Sequence, residues 1–195
     1  MFDRCFARTM GSEGGYANRK KDRGGETYKG ISRKYHPDWD GWEIVDMAKT
    51  RFDGISALKK GDVTPVLGKA YQQKLEQLVR NFYYEKFWKR IRGDDIEYIA
   101  GEDVACETFD AQVNPTSGVN GAKLLQEAIN RLGGSVVVDG VVGPKTLAAL
   151  RDIEKGRLLD TMERLRALHY AEEVKSDPSQ IVFLEGWLKR ALKLA

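Results

Sequence analysis

The apolar residues of this chain fall into stripes at three- and four-residue intervals. That spacing aligns side chains on one face of an α-helix, and it restricts the fold more than any other feature. Phe2, Cys5, Phe6, Ala7 and Met10 make the first stripe and predict a helix ending near Gly11. A longer stripe runs through Val66, Leu67, Ala70, Tyr71, Leu75, Leu78, Val79, Phe82 and Tyr83. Thr64-Pro65 opens it, with Thr64 as N-cap and the proline at the first helical position, where a missing N–H costs nothing. This helix, broken once, should stop by Gly93. Further stripes predict helices over 104–113, 122–132, 143–150, about 158–174 and about 181–194. Asn114-Pro115 ends the first of these, because a residue before proline avoids the helical region.

Two segments break the helical pattern. Between Gly11 and Ile31 stand Gly11, Gly14, Gly15, Gly24, Gly25 and Gly30, interleaved with charges, which reads as loop and short hairpin. Val136-Val137-Val138-Asp139-Gly140-Val141-Val142 places β-branched residues around Asp-Gly and predicts a second hairpin. The expected fold is mainly α, with a small β element near 22–31 and a helical C-terminal part. There is no long repeat and no low-complexity linker. One compact body in two parts follows, 1–93 and 94–195, with a soft boundary near Gly93 to Gly101.

Composition narrows the function classes. Hydrophobic residues make up 42% and charged residues 31%, ordinary for a globular chain and unlike a disordered one. No stretch approaches the roughly 18 to 20 consecutive apolar residues of a membrane span. The first eight residues mix charges with aromatics and do not form the apolar core of a secretory signal. The chain is thus expected to be made in the cytoplasm, and any export would follow a route that the sequence does not identify. Cys5 and Cys106 lie far apart and are read as buried free thiols. With two separated histidines as well, no zinc-ligand cluster can be assembled, so neither metal nor cofactor is expected. Net charge is only +3, yet Arg19, Lys20, Lys21, Arg23, Lys29, Arg33 and Lys34 crowd one segment that holds two acids, Asp22 and Glu26. Such a patch suits an anionic polymer or plain solvent. Nucleic acid is set aside, since nothing beyond this charge points to it.

The chemistry is concentrated in Glu13-Gly14-Gly15-Tyr16-Ala17-Asn18 and Asp22-Arg23-Gly24-Gly25-Glu26-Thr27-Tyr28-Lys29-Gly30-Ile31. One carboxylate follows a helix and a second stands nine residues on, before a glycine pair. Glycosidic cleavage commonly uses such a pair, one carboxyl protonating the leaving oxygen and the other acting as base, nucleophile or stabiliser.

At these residues the chain resembles glycoside hydrolase family 108, the muramidases also called secretion activator proteins. Glu13, Gly14, Gly15, Tyr16, Asn18, Asp22, Gly24, Gly25, Thr27, Gly30 and Ile31 carry the resemblance. It implies a lysozyme-like fold, a peptidoglycan substrate and Glu13 as the catalytic acid, with Asp22 and Thr27 assisting as in phage-type lysozymes. The Asp22-to-Thr27 interval is one residue shorter than the phage pattern, and Arg19-Lys20-Lys21 stands where the family often has Asp-Pro-Ala. The reaction implied is hydrolysis of the β-1,4 bond between N-acetylmuramic acid and N-acetylglucosamine, with the phage-type spacing leaning towards inversion.

The resemblance extends through Thr108-Phe109-Asp110-Ala111-Gln112-Val113-Asn114, Leu124-Leu125-Gln126, Val138-Asp139-Gly140-Val141-Val142-Gly143-Pro144-Lys145-Thr146 and Gly186-Trp187-Leu188-Lys189-Arg190. This later part is similar to a peptidoglycan-binding module. Tyr16, Asn18, Trp88 and Asn114 are the expected substrate contacts: Trp88 by stacking on a sugar ring, Asn114 by bonding a sugar amide. Asn114 also fits a plain helix cap. A monomer is expected, and a non-cutting wall-binding protein is the rival reading.

Overall fold

The computed structural model describes residues 2–11, 15–18 and 25–192, and is mainly α: eleven α-helices and one small sheet among those residues. They gather into two units. The first comprises Met1–Cys5 and Glu85–Ala195, the second Phe6–Tyr84, so the division falls within the first helix and again after Tyr84.

The second unit holds the sheet. After α1 (Phe2–Met10) come β1 (Tyr16–Asn18), β2 (Glu26–Tyr28) and β3 (Ile31–Ser32), antiparallel and in sequence order. The turn from β2 to β3 is the two residues Lys29-Gly30, at φ 44° and 77°. Positive φ at both central positions is what a type I′ turn needs, and glycine supplies one of them without strain. Lys29 tolerates the other with two anchors: its N–H donates to the Gly15 carbonyl at 2.8 Å, and its carbonyl accepts the Tyr83 hydroxyl at 2.8 Å.

Four helices complete this unit: α2 (Gly41–Lys49), α3 (Gly54–Lys60), α4 (Thr64–Leu67) and α5 (Lys69–Tyr83). Residues 32–63 carry no stripe long enough to predict α2 and α3. Ile44, Val45, Ala48, Ala57 and Leu58 are nevertheless buried, so packing stabilises helices that local pattern does not announce. The expected break in the long helix is real and lies at Gly68, φ 89°. Its start is capped differently from expectation. Thr64 is helical, and its N–H donates to Asp62 Oδ1 at 2.8 Å, so an aspartate two residues upstream supplies the acceptor. A π-helical turn, Tyr84–Trp88, follows α5.

The first unit contains α6 (Gly93–Ala100), α7 (Glu102–Val113), α8 (Gly121–Arg131), α9 (Pro144–Leu150), α10 (Lys155–Ser176) and α11 (Ile181–Leu192). The 93–101 stretch is therefore largely helix, with Ile96 and Ala100 buried. Leu124, Leu125, Ala128 and Ile129 of α8 join Val104, Ala105 and Phe109 of α7 in the core. A Cβ on Gly121 would strike the Thr108 carbonyl, so glycine lets these two helices approach backbone to backbone. Arg166 and Glu107 form an ion pair at 2.9 Å with each side chain 3% exposed, and Asp110 lies 2.6 Å from the same guanidinium.

Two expectations are corrected here. Cys5 and Cys106 are not free thiols but a disulfide, with Cα atoms 4.7 Å apart. Sequence distance does not forbid pairing when α1 and α7 bring both residues into one core. Nor do residues 136–142 form a hairpin. The Asp-Gly pair makes a local turn, with Asp139 Oδ1 accepting the Val141 N–H. The flanking backbone then bonds to α8 side chains instead of across to itself. Asn130 exchanges two bonds of 2.8 Å with Val136, while Gln126 donates to Asp139 and the Val141 carbonyl and accepts from the Gly140 N–H. Those bonds satisfy the polar groups that a strand partner would otherwise take.

Candidate active site

The Glu-Gly-Gly-Tyr segment leads from α1 into β1. Glu13 and Asp22 lie outside the described residues, while the residues framing them do not. A Cβ on Gly15 would fall onto the Leu58 carbonyl oxygen and lie 2.7 Å from both the Lys59 carbonyl oxygen and the Gly61 nitrogen. The chain here runs against the backbone at the end of α3, which only glycine permits. That contact and the Lys29-to-Gly15 hydrogen bond fix the frame two residues after Glu13.

The strand register sorts the expected site residues. Tyr16 pairs with Tyr28, Ala17 with Thr27, and Asn18 with Glu26. Because side chains alternate across a strand, Tyr16, Asn18, Glu26 and Tyr28 share one face, and Ala17, Thr27 and Ser32 the other. Thr27 is thus on the opposite face from Tyr16 and Asn18, and the three do not line one surface. Thr27 is half-buried.

The face carrying Tyr16 holds a polar cluster that the sequence reading missed. Glu26 Oε1 accepts the Tyr16 hydroxyl at 3.0 Å and Lys49 Nζ at 2.6 Å, and its Oε2 accepts Arg33 Nη1 at 2.9 Å. Arg33 also bonds both oxygens of Asp46, one of them at 2.9 Å, and its guanidinium lies 4.8 Å over the Trp42 ring. Lys49 reaches Asp46 as well, at 2.6 Å. Asn18 Nδ2 donates to the Tyr16 hydroxyl at 3.5 Å. Two cations and two carboxylates thus compensate each other charge for charge.

The electrostatics follow from this arrangement. Burial pushes the Glu26 carboxyl upward, but hydrogen bonds from Lys49, Arg33 and Tyr16 together outweigh it and hold the group below the usual carboxylate range. The Arg33 hydrogen bond brings Asp46 down to about 2. Burial raises the Tyr16 phenol, which stays a neutral donor at ordinary pH. Glu26 is therefore a fixed negative charge rather than a proton donor. A charged residue in a basic, glycine-rich segment reads as solvated. Only the Asp46-to-Lys49 spacing on α2 gave any local hint of the cluster.

One expected contact is corrected, and a second has a structural use. Trp88 is fully buried, with its indole N–H on Asp94 at 3.0 Å and its ring against Phe2 and Phe109 at centroid distances of 5.5 and 5.8 Å. A Cβ on Gly93 would strike the same ring. Trp88 is core, and has no open face for a sugar. Asn114 caps α7: its N–H and its side-chain amide both reach the Asp110 carbonyl, at 2.9 and 3.2 Å. The amide serves the helix end, the alternative use that a residue before proline suggested.

Comparison with known proteins adds to this geometry. The family model described as glycosyl hydrolase 108 matches residues 6–115, more than half of the chain, and a model described as a predicted peptidoglycan domain matches residues 120–192. The solved structure of Brucella abortus SagA is similar to this chain at 26% identity and a TM-score of 0.60, covering 98% of this chain and 90% of that one. No curated protein sequence matches.

Proposed function

This chain belongs to the glycosyl hydrolase 108 family, with a peptidoglycan-binding domain at its C-terminal end, and from that premise we propose that it is a muramidase. A lysozyme-like glycosidase acting on peptidoglycan follows from the family. The finer reading is hydrolysis of the β-1,4 bond between N-acetylmuramic acid and N-acetylglucosamine. Glu13 donates the proton to the leaving oxygen, Asp22 supports the positive charge that develops on the sugar or activates water, and Thr27 orients that water. Hydrolysis is assigned to the N-terminal part, expected as 1–93, and attachment to the C-terminal part, expected as 94–195.

The observation that carries the reading is the hydrolase model spanning the Glu-Gly-Gly-Tyr segment, whose second glycine is sterically obligatory at the end of α3. A motif glycine with a packing reason holds the chain in one course, and a catalytic carboxyl two residues away benefits from that constraint.

The test is digestion of purified peptidoglycan by wild type and Glu13→Gln, with identification of the new reducing ends. New N-acetylmuramic acid ends from wild type, lost in a folded Glu13→Gln protein, are expected. N-acetylglucosamine ends would move the cut to the other bond. Pull-down on insoluble wall without any new ends would favour the non-cutting binding protein.

A further inference from the structure

We infer that Glu26 is a positioning residue for the hydrolytic reaction, holding both stems of the 19–25 segment that carries Asp22. The inference rests on the role given to Asp22 above, and its geometric support is independent of it. Asn18 is the last residue of β1 and Glu26 the first of β2, and the two are paired. Whatever holds these residues therefore sets where the connecting segment starts and ends.

One carboxylate does most of that holding. On the β1 side it accepts the Tyr16 hydroxyl, to which Asn18 also donates. It is also tied to α2 through Lys49, and to Arg33 just beyond β3. Arg33 is itself held by Asp46 and Trp42, both on α2. The Glu26 side chain is 16% exposed, against 47% for Asp46. Exposed ion pairs contribute little, while charge-assisted bonds withdrawn from water are stronger and reinforce one another. The cluster is thus centred on Glu26, with Asp46 at its wet edge. Its direction matters too: it lies on the face opposite Thr27, so Glu26 braces the sheet from behind and does not itself reach the side on which Thr27 stands.

Glu26→Gln keeps shape and one acceptor oxygen but removes the charge. Lys49 and Arg33 then keep only Asp46 as an anionic partner, and the tie of the stems to α2 loses one charge-assisted hydrogen bond and the charge behind the other. Small displacements of a reacting group can cost on the order of 100-fold in rate, so the loss belongs in kcat rather than KM.

The experiment is a double-mutant cycle on peptidoglycan with Glu26→Gln, Asp22→Asn and the pair, with melting temperature measured for each. The expected result is a folded Glu26→Gln enzyme whose kcat falls about 10- to 100-fold at nearly constant KM. In the Asp22→Asn background the same change should add no more than about twofold, because its effect passes through Asp22. Impaired Asp22→Asn with a full, multiplicative Glu26→Gln loss overturns the positioning role alone, as does a Glu26→Gln enzyme with normal kcat. Asp22→Asn with normal turnover overturns the reading of Asp22, and the positioning role with it. Should Glu26→Gln fail to fold, Lys49→Met replaces it in the cycle: it removes one tie to α2 and leaves Glu26 bonded to Arg33 and Tyr16. The same non-additivity is then expected, and a multiplicative loss overturns the inference.

Discussion

Replacing both cysteines with alanine should cost this protein a large part of its stability without altering its fold. The disulfide joins residues 101 apart, and all of the second unit, Phe6–Tyr84, lies inside the loop it closes. In the chain-entropy picture, cross-linking removes about 2.1 + 1.5R ln n cal/mol/K from the unfolded ensemble, which for a loop of about 100 residues is about 4.7 kcal/mol at 25 °C. Little of this is returned by the folded state. Phe2 packs on Trp88 and Phe109 at 5.5 and 5.6 Å, so the start of α1 keeps its seat in the core when the bond is absent. Both cysteines are buried, and alanine in place of each adds a small cavity penalty. Allowing for residual structure in the unfolded chain, the net loss should be about 2–5 kcal/mol, against a typical total of about 5–15 kcal/mol. Urea unfolding followed by far-UV circular dichroism measures it, on oxidised wild type, wild type with reductant, and Cys5→Ala/Cys106→Ala. Reduced wild type and the double variant should coincide, both well below the oxidised protein, with a somewhat steeper denaturant dependence as their unfolded chains expand. Equal midpoints for oxidised and reduced wild type would refute the reasoning. So would two titratable thiols in the denatured, unreduced protein.

Three further outcomes follow from the geometry. Gly15→Ala drives a methyl group into the backbone at the end of α3 and should cost about 1–3 kcal/mol or more; a melting temperature unchanged from wild type would mean that the close approach is absent. Acid should unfold the protein partly through Asp46. Its carboxyl is held at about 2 in the folded state against 3.8 normally, so this stabilisation is present above about pH 4 and is lost as pH falls towards 2; Asp46→Asn should flatten that stretch of the pH–stability curve, and an unchanged curve would dismiss the pairing. Trp88→Ala should lower stability by about 3–5 kcal/mol while leaving the affinity of the folded fraction for peptidoglycan fragments intact; a selective loss of affinity in a stable variant would restore Trp88 as a sugar contact.

The local pattern of the chain was enough for most of the helices. Stripes at helical spacing marked α1, α5 and α7 to α11, and glycine and proline marked most of their ends, because a helix is stabilised by neighbours three and four residues away and those are visible in order. The Glu-Gly-Gly-Tyr segment was likewise legible, since a backbone course that demands glycine constrains residue identity directly. What the order of residues could not supply was any pairing between distant positions. Cys5 and Cys106 read as unrelated thiols until α1 and α7 met. Val136 to Val142 read as a hairpin because β-branched residues and Asp-Gly favour one, yet Gln126 and Asn130 offered its backbone better partners from another element. Trp88 reads as a sugar platform only if its ring is open, and burial among Phe2, Phe109 and Gly93 makes it core, the commoner place for an aromatic at helical spacing. Glu26 looked solvated until strand register set it beside Tyr16 and within reach of Lys49 and Arg33. Local backbone preference is written in adjacent residues. The charge balance of a side chain depends on everything that folding brings within a few ångströms, and only the tertiary structure specifies that.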